Sequence, residues 1–279
     1  MTSELLTYAD HYSCCRDSYN NENAENTTGP YRSVYDCTYD EDILEDSDLY
    51  DTLVKRIGRK ASYRFEHGIS CTRFGTHIEL RCLSDIEELY DLVKILIPQI
   101  EQNVYRSHVV VHSASIQRNL PRIKSVKPPV GSWMWHYDDC PDESLKLIIY
   151  LSDVSTNDGP LQVLAGPGRS RIRLPSSRVG PALRDTSKIA FPLSRIPSEV
   201  IDCHIDEHEG PYSLLGACGT YALFSPNQPH RATFASVRSQ NLRDALFLVL
   251  RPTLATGQVT IHHSGVVDAP FDVKKYELN

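Results

Sequence analysis

From Ser107 onward the chain breaks into short apolar runs of strand length, and no other feature constrains its fold as tightly. Residues 108–112, 133–138, 145–151, 161–164, 220–224, 245–250 and 258–262 form these runs, with turn signals between them. The clearest signal is Asn157-Asp-Gly-Pro160, where glycine supplies a positive φ and proline presets a turn. Upstream the apolar period is helical. Leu49, Tyr50, Leu53, Val54 and Ile57 make a stripe that stops at Gly58. The acidic run Asp40-Glu-Asp-Ile-Leu-Glu-Asp-Ser-Asp48 precedes it, and acids suit that end of a helix dipole. A second stripe, Ile86, Leu89, Tyr90, Val93, Leu96, Ile97 and Ile100, follows a Ser84/Glu87 capping-box pattern, with Pro98 predicted to kink or end it. Helices first and strands afterwards predict an α+β chain in which helices buttress an antiparallel sandwich or barrel.

The ends and the middle read differently. Residues 1–40 are polar and aperiodic and are expected to form a flexible or loosely packed arm. Residues 41–279 are expected to form a single domain. Within it, residues 165–200, rich in Pro, Arg and Ser, read as an irregular insertion. Hydrophobic residues make up 41% and charged ones 23%, with no apolar run near membrane-spanning length, as in a globular protein of the soluble class. The first residues, Met1-Thr-Ser-Glu-Leu-Leu-Thr7, lack the basic and apolar regions of a secretory signal. Eight cysteines are scattered without paired spacing, so free thiols in a reducing cytoplasm are expected. A net charge of −7 argues against sequence-independent nucleic-acid binding, which rests on phosphate neutralisation.

The chemistry concentrates at Gly131-Ser-Trp-Met-Trp-His136-Tyr-Asp138. In an extended strand, positions i and i+2 share a face. His136 and Asp138 therefore project together, while Trp133, Trp135 and Tyr137 turn the other way, toward the helical layer. An imidazole and a carboxylate on one face are two-thirds of a facial metal site that needs a histidine from elsewhere. His230, in Phe224-Ser-Pro-Asn-Gln-Pro-His230 and 92 positions beyond Asp138, is one candidate, although a lone loop histidine after a proline is more often structural than a ligand. Cys203-His204-Ile-Asp206-Glu-His208 offers a competing His-x-Asp and His-x3-His pattern. It carries neither a strand signal nor a clear helical stripe and reads as a solvated loop. His108, His112, His262 and His263 have no carboxylate at a suitable offset and read as structural.

The company these residues keep separates the candidates. The run around His136, continuing through Ser-Leu-Lys-Leu-Ile-Ile-Tyr150-Leu-Ser-Asp-Val and Asp158-Gly-Pro-Leu-Gln-Val-Leu-Ala-Gly-Pro-Gly168, resembles the phytanoyl-CoA dioxygenase-like family of iron(II)/2-oxoglutarate oxygenases. The runs Gly219-Thr-Tyr-Ala-Leu-Phe-Ser-Pro-Asn-Gln-Pro-His-Arg-Ala-Thr and Arg243-Asp-Ala-Leu-Phe-Leu-Val-Leu look like its distal-histidine and cofactor-arginine segments. The resemblance spans about residues 107–252. It departs where the family commonly reads Pro-Gly-Ser-His and this chain reads Gly-Pro-Gly168-Arg-Ser.

This resemblance implies a double-stranded β-helix core, a jelly-roll of cupin type, with His136, Asp138 and His230 as iron(II) ligands. It also implies 2-oxoglutarate as cosubstrate, O₂ as oxidant, and an enzyme of the 1.14.11 type. Such an enzyme hydroxylates a C–H bond of a small organic molecule and releases succinate and CO₂. The distal carboxylate of 2-oxoglutarate calls for a guanidinium. Arg243 is expected to hold it, since strand alternation turns Arg243 inward with Ala245 and Phe247. Arg238 is the reserve, Lys146 either assists or faces solvent, and Arg231 adjoins the last ligand. Asp138 fills the position that family halogenases leave to chloride, which implies hydroxylation or a related oxidation and not halogenation.

The substrate is open. Arg118, Arg122, Lys124 and Lys127 before the His-x-Asp pair, and Arg169, Arg171, Arg173 and Arg178 after the Gly-Pro turn, would favour an anionic one if they rim the mouth. They serve equally as dispersed surface charges. Two other readings stand beside the first: a nucleic-acid demethylase of the same superfamily, against which the acidic balance counts, and a non-catalytic metal-binding jelly-roll.

Overall fold

The computed structural model describes residues 47–74, 77–121, 131–138, 140, 143–164, 195–196, 198–207, 211–237, 239, 241–253, 258–260 and 275–277. The expected arm at 1–40, residues 165–194, Arg238, His208 and His262-His263 lie outside them, as do Arg122, Lys124, Lys127, Arg169, Arg171, Arg173 and Arg178.

Two helices lead, α1 (Ser47–His67) and α2 (Glu87–Ile100), with the hairpin strands β1 (Cys71–Phe74) and β2 (His77–Leu80) between them. Then come β3 (His108–Asn119), β4 (Leu145–Tyr150), β5 (Leu161–Val163), α3 (Ser198–Glu207), β6 (Tyr212–Ser213), β7 (Tyr221–Phe224), β8 (His230–Ala232) and β9 (Arg243–Thr253). A short pair, β10 (Gln258–Thr260) and β11 (Lys275–Glu277), is the last. The larger sheet runs β1-β2-β3-β9-β4-β7 and the smaller β6-β5-β8, every ladder antiparallel. An isolated bridge adds His136 to the free side of β8. Taken in chain order, β3, the His136 segment, β4, β5, β6, β7, β8 and β9 divide between the two sheets in jelly-roll fashion.

Strand alternation builds the layers. Leu145, Leu147 and Ile149 on β4, Tyr221 and Leu223 on β7, and Leu246, Leu248 and Leu250 on β9 join the α1 and α2 stripes in one core. The opposite faces, with Ile148, Tyr150, Ala222, Phe224 and Ala245, meet Leu161, Val163 and Leu214 of the smaller sheet. Helices thus cover one face of the large sheet and the small sheet covers the other. Helix α2 alone buries Leu89, Tyr90, Leu92, Val93, Leu96, Ile97 and Ile100, each contributing about 1.5–3 kcal/mol of transfer free energy.

Several sequence expectations are corrected. Helix α1 does not stop at Gly58 but runs on to His67. A Cβ at position 58 would lie 2.7 Å from the Leu151 carbonyl, so glycine lets the helix pass close to the end of β4. Ser84 does not cap α2. The helix begins at Glu87, with no side-chain cap at Ile86. Arg64 holds the preceding segment through the Cys82 carbonyl and the Asp85 carboxylate, drawing it off the helix axis. Pro98 lies in the last turn of α2, which ends at Ile100, and a π-type turn, Glu101–Tyr105, carries the chain on to a left-handed Arg106.

Residues 133–138 are not a strand: a 3-10 turn covers Gly131–Trp133, and His136 alone bridges. The tryptophans therefore do not back onto the N-terminal helices. Trp133 stacks on Phe234, and Trp135 packs with Leu164, Ile196 and Ile201. Finally, residues 203–207 are not a solvated loop but the end of α3, whose Ile201 faces Trp135 with Val200 and Ile205 alongside and whose His204 is buried.

Candidate metal centre

The smaller sheet and its edge bring three distant side chains together. His136 and His230 form an antiparallel bridge, each amide donating to the other's carbonyl at 3.1 Å. Directly opposed residues place their side chains on one face, and the imidazole centroids lie 4.3 Å apart. Asp138 is fixed by its amide donating to the Pro226 carbonyl at 3.0 Å. Its Oδ1 lies 3.4 Å from His136 Nε2 and its Oδ2 3.5 Å from His230 Nε2. Among the described residues, these three form the one cluster of metal-type ligands, with all candidate donor atoms within 4.8 Å of one another.

Hydrogen bonding behind the rings decides which nitrogens face the cluster. His136 Nδ1 is 2.8 Å from the Met134 carbonyl and His230 Nδ1 is 2.8 Å from the Gln228 carbonyl. A carbonyl only accepts, so each Nδ1 carries the proton and each Nε2 presents a lone pair. His230 Nε2 is buried without a hydrogen-bond partner. Burial, then the neighbouring His230, lowers the His136 pKa to about 4, which keeps that ring neutral. Burial opposes ionisation of Asp138, but Lys146 and then His230 outweigh it and hold the carboxyl well below its ordinary range. An Nε2 from each imidazole and one carboxylate are the donor set of a facial site for a divalent transition metal.

The loop before β8 sets this geometry. Asn227 accepts from the Cys140 amide at 3.1 Å and donates to its carbonyl at 2.6 Å. Gln228 donates to the Leu164 carbonyl at 2.5 Å, and the Leu164 amide donates to the Pro229 carbonyl. The loop therefore clamps the His136–Cys140 segment on one side and the end of β5 on the other.

Arg243 opens β9 and is 5% exposed. It is opposite Asn119, which is opposite His77, so the three form a row across the large sheet. Ala245, two residues along β9, belongs to the core between the sheets, with Phe247 packed against it. Asp244 faces the other way and holds Arg118 in a buried pair at 2.6 and 2.7 Å. That leaves Nε and Nη1 of Arg243 buried without an acceptor among the described residues. Burial lowers its pKa against the opposing influence of Tyr150. The Tyr150 hydroxyl is engaged with the Leu214 carbonyl and the Leu161 amide.

Lys146 does not face solvent. It is mostly buried against Phe247, and its Nζ contacts Asp138 Oδ2 at 2.6 Å. Arg231 points away from the cluster, over the Trp135 ring and onto Gln162. Arg118, expected among charges at a rim, is instead the buried partner of Asp244. The His204 segment does not join the cluster.

Sequence reasoning missed two residues here. His77 sits beside Arg243 and Trp133, its pKa lowered to about 4 by burial and then by Arg243. The short alternating run His77-Ile-Glu-Leu80 was the available signal. Arg195 bridges His136 from the side opposite His230, and nothing in its Pro- and Arg-rich surroundings marked it.

No family model and no curated protein matches the chain. Solved structures do. EctD from S. alaskensis, with 2-oxoglutarate and 5-hydroxyectoine, is 17% identical, covering 76% of this chain and 70% of that one at a TM-score of 0.47. The epimerase SnoN, in complex with Fe3+, alpha ketoglutarate and nogalamycin RO, is 13% identical over 72% and 75%, at 0.48. SnoK, a non-heme alpha ketoglutarate dependent carbocyclase of nogalamycin biosynthesis, is 15% identical over 79% and 90%, at 0.46. At such scores these likenesses decide nothing for this chain, whose architecture rests on its own strand order and whose site rests on its own residues.

Proposed function

We propose that this protein is an iron(II)/2-oxoglutarate-dependent oxygenase that hydroxylates a C–H bond of a small organic molecule. The observation that carries the proposal is a pairing. A His-Asp-His cluster and a buried guanidinium, two of whose nitrogens have no acceptor among the described residues, both lie on the walls between the two sheets. Burying a cation that is only partly paired costs free energy, a cost that an anionic ligand would offset. The jelly-roll strand order is that of a double-stranded β-helix, and the sequence resemblance to the phytanoyl-CoA dioxygenase-like family supports the same reading.

In this proposal His136 and His230 donate their Nε2 lone pairs and Asp138 its carboxylate to iron(II). Arg243 takes the distal carboxylate of 2-oxoglutarate through two parallel hydrogen bonds. When bound, iron(II) and 2-oxoglutarate supply O₂-dependent oxidation of an unactivated C–H bond, with release of succinate and CO₂. The protein's own part is placement. The Met134 and Gln228 carbonyls hold both rings in one tautomer, and such outer partners fix ligand orientation. Lys146 restrains the second oxygen of Asp138 and is a positioning residue. Phe224, edge-on to His230 at 5.3 Å, shields that ring from water. Asp138 occupies the position a halide would need, so the proposed outcome is hydroxylation.

The test is 2-oxoglutarate turnover under air with iron(II), followed as succinate. The wild-type protein is expected to form succinate at a slow uncoupled rate without substrate, and Asp138→Ala to form none. Equal rates in the two proteins contradict the assignment.

A further inference from the structure

The segment at Arg195 and Ile196 is fastened to the metal-ligand segment on the side opposite β8. The Ile196 amide donates to the Trp135 carbonyl at 3.0 Å, and Arg195 forms an antiparallel bridge with His136. Ile196 is 3% exposed and packs with Trp135, Leu164 and Ile201, so this attachment is anchored by core packing. His136 is thereby the middle of a three-residue row, Arg195–His136–His230. Directly opposed residues in antiparallel pairs put their side chains on one face. The Arg195 side chain shares the face of the two imidazoles.

Nε and Nη1 of Arg195 are buried and unpartnered among the described residues, and its charge acts on both His136 and Asp138. Asp138, the carboxylate that acts on it among the described residues, is engaged elsewhere. Asp138 contacts Lys146 and the two histidines, and Asp202 acts on Arg231. The centre therefore has two guanidiniums whose Nε and Nη1 are buried without an acceptor among the described residues, Arg243 on the large sheet and Arg195 beside the metal ligands. Under the proposed function 2-oxoglutarate occupies the first, and the second faces whatever lies in front of the metal.

We propose that Arg195 is a specificity-determining residue that binds a carboxylate group of the substrate. This rests on the oxygenase reading and narrows its substrate to an organic acid. A guanidinium presents paired N–H groups that match the two oxygens of a planar carboxylate. Lys146, the other cation at the cluster, is already held by Asp138. A single free positive charge fits a monoanion better than a doubly charged phosphate.

The experiment uses the full chain, whose Trp135 packs with Ile196 next to Arg195. Benzoate, hexanoate and N-acetylglycine are each titrated against the matching amide, with phenyl phosphate as a further arm. Tryptophan fluorescence is read for the metal-free protein. Visible absorption is read for the anaerobic iron(II)/2-oxoglutarate complex. At least one acid is expected to bind tenfold or more tightly than its amide. That preference should vanish in Arg195→Gln and return in part in Arg195→Lys, with the melting temperature of both variants unchanged.

Equal affinities for acids and amides, no binding by any acid, or a preference that survives in Arg195→Gln each overturn the proposal. Tighter binding of phenyl phosphate than of every acid overturns the carboxylate assignment. An acid that bleaches the 2-oxoglutarate absorption is occupying Arg243 and counts against Arg195. A wild-type complex with no such absorption sinks the oxygenase reading alone, because the fluorescence arm still decides whether Arg195 binds acids.

Discussion

Replacing Arg243 with methionine should stabilise the metal-free protein while removing its response to 2-oxoglutarate. Arg243 is 5% exposed, with Nε and Nη1 unpartnered among the described residues. A well-packed apolar replacement of a buried charged group gains about 1–4 kcal/mol in comparable settings. The favourable contact with Tyr150 places the expectation at the lower end, about 1–2 kcal/mol. For a domain of this size that is a rise of roughly 2–8 °C in melting temperature. The loss on the ligand side is larger. Two charge-assisted hydrogen bonds at about 1.5–3 kcal/mol each correspond to roughly a 10²–10⁴-fold weaker dissociation constant.

The assay is thermal unfolding with a redox-inert divalent metal, with and without excess 2-oxoglutarate, which stabilises only the form that binds it. Arg118→Met is the counter-case, because Arg118 is also buried but is paired with Asp244 at 2.6 Å. Removing it strands a buried carboxylate and should cost about 3–5 kcal/mol. If Arg243→Met lowers the melting temperature and keeps the 2-oxoglutarate-induced rise, the assignment of Arg243 is refuted.

Other perturbations follow from the same geometry. His77 has a pKa of about 4 in the fold, below its ordinary value. Its contribution to stability is therefore present above about pH 6.5 and lost as pH falls toward 4. His77→Gln should flatten that acid limb by at most about 3 kcal/mol, measured as denaturant midpoints across the window. Gly159 has φ +75°, and a Cβ there would lie 2.4 Å from Asn119 Nδ2 and 2.7 Å from the Thr233 carbonyl. Gly159→Ala should cost about 2–4 kcal/mol of strain and overpacking. Gly68→Ala, at φ +64° with open space around it, should cost about 1 kcal/mol, and urea unfolding separates the two. Asn227→Ala releases the Cys140 backbone from its clamp. It should weaken metal affinity about 10–100-fold in a competitive chelator titration, with little change in fold.

How far the sequence was legible differs by element. The strands 145–150 and 245–250 and both apolar helix stripes could be read because one periodicity held over several turns or residues and the buried face enforced it. The His136/Asp138 pair was legible as a pair, yet for an incomplete reason. The segment is a 3-10 turn and a single bridge, and the side chains converge because Pro226, Met134 and His230 hold them from outside. Helix α3 escaped notice because its stripe of Val200, Ile201 and Ile205 is broken by His204, a polar residue that is nonetheless buried. Lys146 escaped because strand alternation says which face a side chain takes but not which carboxylate awaits it there. Arg195 and His77 reach the site only through pairings made in three dimensions, with His136 and Asn119, and no local pattern encodes such partners.

The central claim is that His136, Asp138 and His230 bind iron(II) in a form that leaves room for 2-oxoglutarate anchored on Arg243. Anaerobic visible absorption measures it directly. Adding iron(II) and then 2-oxoglutarate to the wild-type protein should produce a metal-to-ligand charge-transfer band. The band should be absent in Asp138→Ala and His230→Ala, and should require far more 2-oxoglutarate in Arg243→Met. A wild-type protein with no band, or a band that survives the loss of Asp138, would contradict the account.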